Sequence, residues 1–218
     1  MFEYLPMILG SKGLLATLYI TLGSTLIAYV IGLPLGLLLV LTDPKGLKPL
    51  KGVNRVLNIA VNILRSVPFL ILLIAVMPVT RFILGTTIGS TATIPPLVIA
   101  AFPFIARLVE SSLNEVDAGV IEAMRSMGAS NMQIAFKAML PEALPSLISN
   151  ATTATTTILG YSAMAGIVGG AGLGKICIDY GYYRGNTEVM LIAVIVLVLV
   201  VQLVQAIGNF AARKADKR

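Results

Sequence analysis

Histidine and tryptophan are absent from this 218-residue chain, and its one cysteine, Cys177, has no second thiol for an internal disulfide. These gaps exclude imidazole acid–base chemistry, Cys/His zinc sites and a disulfide scaffold. Charge is scarce as well. Only 12% of residues are Asp, Glu, Lys or Arg, against 57% apolar, whereas a soluble domain carries roughly 25% charged residues. Too little polar surface remains to coat a water-soluble globule. Disorder needs low hydrophobicity and high net charge, the reverse of a chain with mean hydropathy +0.92. What is present is apolar sequence in long charge-free runs, so the chain reads as an all-α integral membrane protein. Its start, MFEYLPMILGSKG, places Glu3 and no basic residue ahead of the first apolar run, and does not read as a signal peptide.

A bilayer crossing needs about 20 predominantly apolar residues in a helix. Apolar runs of that order, charge-free except for Arg65 in the second and Arg107 at the end of the third, predict about five spans, near 14–41, 57–79, 93–109, 145–165 and 189–211, in a single transmembrane domain over 1–218. Gly85–Thr93 reads as loop, and GIVGGAGLG ends the fourth run as a glycine turn. Five crossings put the termini on opposite sides. Lys45, Lys48, Lys51, Arg55, Arg107, Arg125, Lys137, Arg213, Lys214, Lys217 and Arg218 gather on one side; Lys12, Arg81, Lys175 and Arg184 fall on the other. The positive-inside bias makes the richer side cytoplasmic, with the N-terminus outside and the C-terminus inside. Topology thereby accounts for the net charge of +6, and no nucleic-acid footprint is left over. All ten acids lie in loops or near span ends. Ion-coupled carriers mark their route with intramembrane ionisable groups, and only Arg65 qualifies here. Arg65 reads either as a pathway residue or as a side chain snorkelling to the cytoplasmic interface from the inner end of the second span.

Two motifs imitate enzyme sites. Gly169–Lys175 (GGAGLGK) follows a phosphate-binding loop for seven positions, but the magnesium-binding Ser or Thr is Ile176 and no strand precedes it. Ser162 follows Gly160–Tyr161 as a nucleophile would, yet no histidine exists and the nearest lysine, Lys175, lies beyond the glycine turn. The Gly32–Gly36 and Gly166–Gly170 spacings permit close helix approach.

The longest polar stretch, about 110–142, separates the third and fourth spans. A short helix is expected near Gly119–Met127, ended at Gly128, a residue suited to a left-handed helix end. Ser130 or Asn131 can cap a second helix. That helix would carry Met132, Ala135, Phe136 and Met139 on one face, before Pro141 and Pro145 turn the chain into span four. The segment reads as an amphipathic connector or as an adaptable methionine-rich docking surface.

In this stretch Glu122–Ala123, Gly128 and Leu140–Pro141 stand at the spacing of the signature loop of ABC-importer permeases: Glu-Ala-Ala, three residues, Gly, nine residues, Ile, one residue, Leu-Pro. Met124 replaces the second Ala and Ala138 the Ile, both apolar changes. RSVPFLILL (Arg65–Leu73), MGASNMQIAFKAMLPEALP and GYSAMAGIVGGAGLG (Gly160–Gly174) resemble the methionine-importer permeases, which have a similar five-span length. The resemblance implies a type I ABC-importer permease fold: a passive pore subunit that pairs with a second copy of itself. Beneath the pair would sit two cytoplasmic ABC ATPase subunits, and an extracytoplasmic substrate-binding protein would deliver the ligand. Such a chain would sit in the lipid bilayer of the bacterial inner membrane. It would bind no cofactor, ATP and Mg being held by the ATPase. Glu122–Gly128 would be the coupling helix. The cargo implied is methionine, L- and also D-; the same architecture serves other small amino acids or peptides, and a self-sufficient secondary carrier is the reading from another class. Span four, with Asn150, Thr152, Thr153, Thr155, Thr156, Thr157 and Ser162, reads as a pathway wall or as a helix whose hydroxyls bond its own carbonyls. Thr152, Thr156, Tyr161, Ser162 and Met164 are the pathway candidates, with Met164 forming an apolar gate against its symmetry mate.

Overall fold

The structure, a computed structural model, describes residues 4–216, and its regular elements are all helical. A short α1 (Leu5–Leu9) leads into α2 (Leu14–Thr42), followed by α3 (Lys51–Ser66), α4 (Phe69–Leu84) and α5 (Ser90–Asn114). Then come α6 (Ala118–Ser126), α7 (Asn131–Ile134), a π-helical turn over Ala135–Met139, α8 (Leu140–Glu142) and α9 (Leu144–Ala165). The chain closes with α10 (Leu173–Ile176), a second π-helical turn over Cys177–Tyr182, and α11 (Thr187–Ala215). Three helical stretches, Leu5–Thr42, α5 and α11, are long and apolar enough to cross a membrane among the described residues. Counting each of two bent pairs as one span brings the number to five.

One bent pair differs from the expected second span. The stretch 57–79 is not one helix but the end of α3 and most of α4, which meet at 106°. Pro68 is the cause. A proline pushes the residue before it out of the helical region, and Val67 is accordingly extended, at φ −81° and ψ 124°. The third span begins earlier than expected, at Ser90, entered through Gly89 at φ 100°.

The molecule is organised on the pairing of α2 with α5. At Gly32 an added Cβ would stand 2.8 Å from the Ile105 side chain, and at Gly36 it would stand 2.6 Å from the Ala106 carbonyl oxygen. Small residues let two backbones approach this closely, the main attraction available where lipid is as apolar as leucine. Around the contact Ala28, Leu37, Val40, Ala101, Ile105 and Val109 are buried, and Ala154 and Ile158 of α9 complete the cluster. By contrast α11 buries only Val189, Ala193 and Val200, while Leu191, Ile195, Leu199, Leu203 and Phe210 are exposed. That surface suits hydrocarbon.

Each end of the bundle is closed by a different device. At one end the 43–50 loop, the last turn of α5 and residues 115–143 form a polar-faced layer. Leu47, Leu113, Val116, Ile134, Ala135 and Met139 sit beneath it, and Asn131 Nδ2 donates to the Leu47 carbonyl at 2.9 Å. At the other end the glycine turn folds back onto α2. Gly169 and Gly172 take φ of 90° and 94°, and the Leu173 N–H donates to Thr17 Oγ1 at 2.8 Å. The Gly170 N–H is spent on the Ala165 carbonyl and that of Ile176 on Gly172, so this glycine-rich run is a turn packed on its own protein.

Candidate functional site

The polar layer presents α6. Asp117 caps it, its carboxylate accepting from the Gly119 N–H at 2.7 Å. Gly128 ends it at φ 76°, with the Gly128 N–H donating to the Arg125 carbonyl and the Ala129 N–H to Met124. Ser130 caps the next helix through a capping box with Gln133. The helix rests on the bundle through the half-buried Ile121 and Met124, packed on the core, and turns Val120, Glu122, Ala123 and Met127 outward. Met127 is 73% exposed. Both departures from the Glu-Ala-Ala…Gly…Ile-x-Leu-Pro pattern point inward: Met124 lies against the core and Ala138 is buried. Leu140 is half-buried in the same cluster, and Pro141 is exposed where the chain turns toward α9.

The second helix of this loop does not carry the expected face. Ala135 and Met139 are buried together with Ile134 and Ala138, whereas Met132 and Phe136 point outward. The π-helical turn over Ala135–Met139 adds a residue to the turn and splits the four positions into two sets.

On α9 the hydroxyls mostly serve their own helix. Thr152, Thr153, Thr155 and Thr157 each donate to the carbonyl four residues back, and Thr156 donates to those of Thr152 and Thr153. Thr152 abuts Gly208 of α11, which turns it toward the protein. Ser162 is 2% exposed and donates to the Leu159 carbonyl at 2.7 Å. Ser162 is thus enclosed in this structure, with its hydroxyl spent on its own helix, and adds no open polar surface. Asn150 and Ser146 join α9 to α5 through Ser112 Oγ, at 2.8 and 3.1 Å.

One stripe of α9 stays open. Thr153, Gly160, Met164 and Ile167 are exposed and Thr157 half-buried along it, at spacings of four and three residues that keep them on one face. Met164 is 48% exposed. Gly160 and Ile167 are members that the hydroxyl count does not reveal; the helical period from Met164 back to Thr153 does. Tyr161 flanks the stripe and stacks on Phe69 of α4, with ring centroids 4.4 Å apart and planes within 5°.

A second polar surface comes from α3. Asn54, Asn58 and Asn62 recur every fourth residue on one flank, beside Lys51, Arg55 and Arg65. Asn54 Nδ2 donates to the Leu39 carbonyl and to Thr42 Oγ1, and Asn58 Nδ2 to Asn54 Oδ1. Asn62 Oδ1 accepts from Arg107 Nη2 at 2.8 Å, and Arg107 also pairs with Glu110 at 2.6 Å. Leu57 and Val61 on the adjoining flank pack on Leu35, Leu39 and Ala106. The helix thus climbs along α2 and α5 from the polar layer into the bundle.

Residues 32–218 match the family described as binding-protein-dependent transport system inner membrane component. The chain belongs to that family, and is a multi-pass inner-membrane component of a transport system. It is 47% identical over 202 residues, 93% of this chain and 90% of the relative, to the probable D-methionine transport system permease protein MetI of Vibrio cholerae. Over 181 residues, 83% of this chain and 82% of the relative, it is 46% identical to the methionine import system permease protein MetP of Bacillus subtilis. Among solved structures it superposes on a chain of the inward-facing MetNI methionine ABC transporter with TM-score 0.96, at 45% identity and with both chains covered in full. The fold is therefore the type I ABC-importer permease fold.

Proposed function

We propose that this chain is the pore subunit of an ATP-driven importer that takes up methionine, L- and D-, across the bacterial inner membrane, working as a pair of identical copies. Relatives named for methionine transport, matched over nearly the whole chain, support the cargo. The observation that carries the mechanism is α6, a short capped helix whose inner side packs on the core while Glu122, Ala123 and Met127 stand free of it.

Two cytoplasmic ABC ATPase subunits, which hold ATP and Mg, dock on this layer of the two copies. Because Ile121 and Met124 tie α6 to the cluster that contains α2, α5 and α9, a displacement of the docked ATPases moves the helices as bodies. The layer and the C-terminus face the cytoplasm, in line with the lysines and arginines that flank it, and the glycine turn faces outward, where a substrate-binding protein delivers the ligand. The open stripe of α9 borders the route, with Thr153 on it and Thr156 beside it toward the inner half, and Tyr161 flanking it toward the outer. Met164 meets its counterpart in the other copy as an apolar gate.

Co-purification with the ATPase, followed by reconstitution in vesicles, tests the reading. Methionine uptake is expected only with ATP and the binding protein, and methionine-loaded binding protein should raise ATP hydrolysis. Uptake without the ATPase, or no response to methionine among a panel of amino acids, would overturn it.

A further inference from the structure

At the break between α3 and α4 lies a cavity of about 260 Å³, lined by Arg65, Phe69, Leu72, Phe104 and Tyr161 among others. Phe104 and Ala100, which share this lining, stand near the middle of the 25-residue α5, so the cavity opens at mid-height along the bundle. Its volume falls just under the roughly 300–1,000 Å³ of pockets that hold drug-sized ligands, a scale suited to a single amino acid.

The cavity has two unlike walls. One is the Phe69–Tyr161 stack with Phe104 and Leu72. The other is Arg65, which is exposed and forms no ion pair among the described residues. Arg107 of α5, by contrast, already holds Glu110 and Asn62. An arginine at mid-membrane depth costs about 2.5–3.5 kcal/mol to insert, and such residues face cavities and mark the substrate's path. At the last turn of α3 the helix dipole favours a cation, but that effect asks for neither a cavity nor an aromatic wall opposite.

We infer that this cavity is an intramembrane resting site for a zwitterionic amino acid, with the Arg65 guanidinium holding its carboxylate and the Phe69–Tyr161 wall receiving its apolar side chain. The planar fork of arginine matches a carboxylate with two parallel hydrogen bonds, and a thioether packs well on aromatic edges. The site rests on the import reading above. Its place beside the open stripe of α9 puts it on the route, and the asparagine flank of α3 runs from it toward the polar layer.

The test uses the assembled permease–ATPase complex and a diazirine analogue of methionine, with labelled peptides mapped by mass spectrometry. Labelling is expected on the segments that contain Phe69 and Tyr161. Excess methionine should protect them; methioninamide, whose carboxylate is neutralised, should not. Arg65→Gln should lower labelling about tenfold, the scale of one charge-assisted contact, and Arg65→Lys should restore part of it. Equal protection by the amide in the wild-type complex, labelling confined to other segments, or undiminished labelling of Arg65→Gln overturns the site. Methionine uptake by the same wild-type preparation separates the two levels. Uptake without labelling here removes the resting site alone, whereas no methionine uptake removes the import reading and the ligand assignment with it.

Discussion

Single residues set the limits of this fold most visibly where they are glycine. Gly128 holds φ 76°, a region that costs an L-residue roughly 1–2 kcal/mol, and nothing crowds the place of a Cβ there. Gly128→Ala is therefore expected to loosen the end of α6 without disturbing the bundle. Gly128→Asp adds a charge on the docking side, and Glu122→Ala removes an exposed carboxylate from it. In these two variants ATP hydrolysis should uncouple from methionine uptake, or the ATPase should fail to co-purify. Normal uptake and recovery in both would count against α6 as the coupling element. Gly36 is constrained in the opposite way, by space and not by φ. Gly36→Val drives side-chain carbons into the Ala106 carbonyl and Val109, an overpacking that costs about 1–3 kcal/mol. A lower melting temperature in detergent is the expected outcome, with Gly52→Ala, which meets open space on the exposed first turn of α3, melting no lower than the wild type. Thr17 gives a third case: Thr17→Val leaves the Leu173 N–H buried and unpaired, a loss of about 1–3 kcal/mol read in the same melting assay.

At the scale of elements, local chemistry was legible and sidedness was not. The end of α6 at Gly128 and the Ser130 cap follow from backbone chemistry within four or five residues, and these were readable from the letters alone. So were the long apolar helices α2, α5 and α11. The second span misled because hydropathy averages across Val67–Pro68, while a single proline turns the backbone by more than any average records. The methionine face of the 131–139 segment misled for a related reason, since a π-turn inserts a residue that no periodicity of 3.6 anticipates. Ser162 and Thr152 carry the same functional group as Thr153, yet Ser162 is enclosed, Thr152 abuts α11 and Thr153 is open. Only the neighbouring helices decide between them. The asparagines of α3, by contrast, announce a polar flank by their four-residue spacing, a signal present in the sequence and easily passed over inside a run of isoleucine and valine.

At the scale of the whole molecule, the proposed pairing makes the described chain half of a route. On that proposal its open α9 stripe, with Met164 and Ile167, faces the same stripe of a second copy about a two-fold axis. With Cys177 first replaced by serine, Met164→Cys should form a cross-link between copies in the resting state, and the yield should fall when ATP and loaded binding protein are added. Labels that stay far apart in the resting state would remove the gate from Met164. The exposed flank of α11, with Leu191, Leu199 and Phe210, belongs to lipid on this reading and should tolerate exchange among apolar residues with little change in uptake.

The α2–α5 seam has a mechanical consequence. Where Gly32 and Gly36 bring backbone against Ile105, the Phe102 carbonyl and Val109, no layer of long side chains remains to yield under load. A seam without slack cannot absorb a push by compressing. A displacement of the Thr42 end of α2 is therefore handed to α5 across this seam, and the 106° and 46° breaks of the two bent pairs are the places left for the chain to flex.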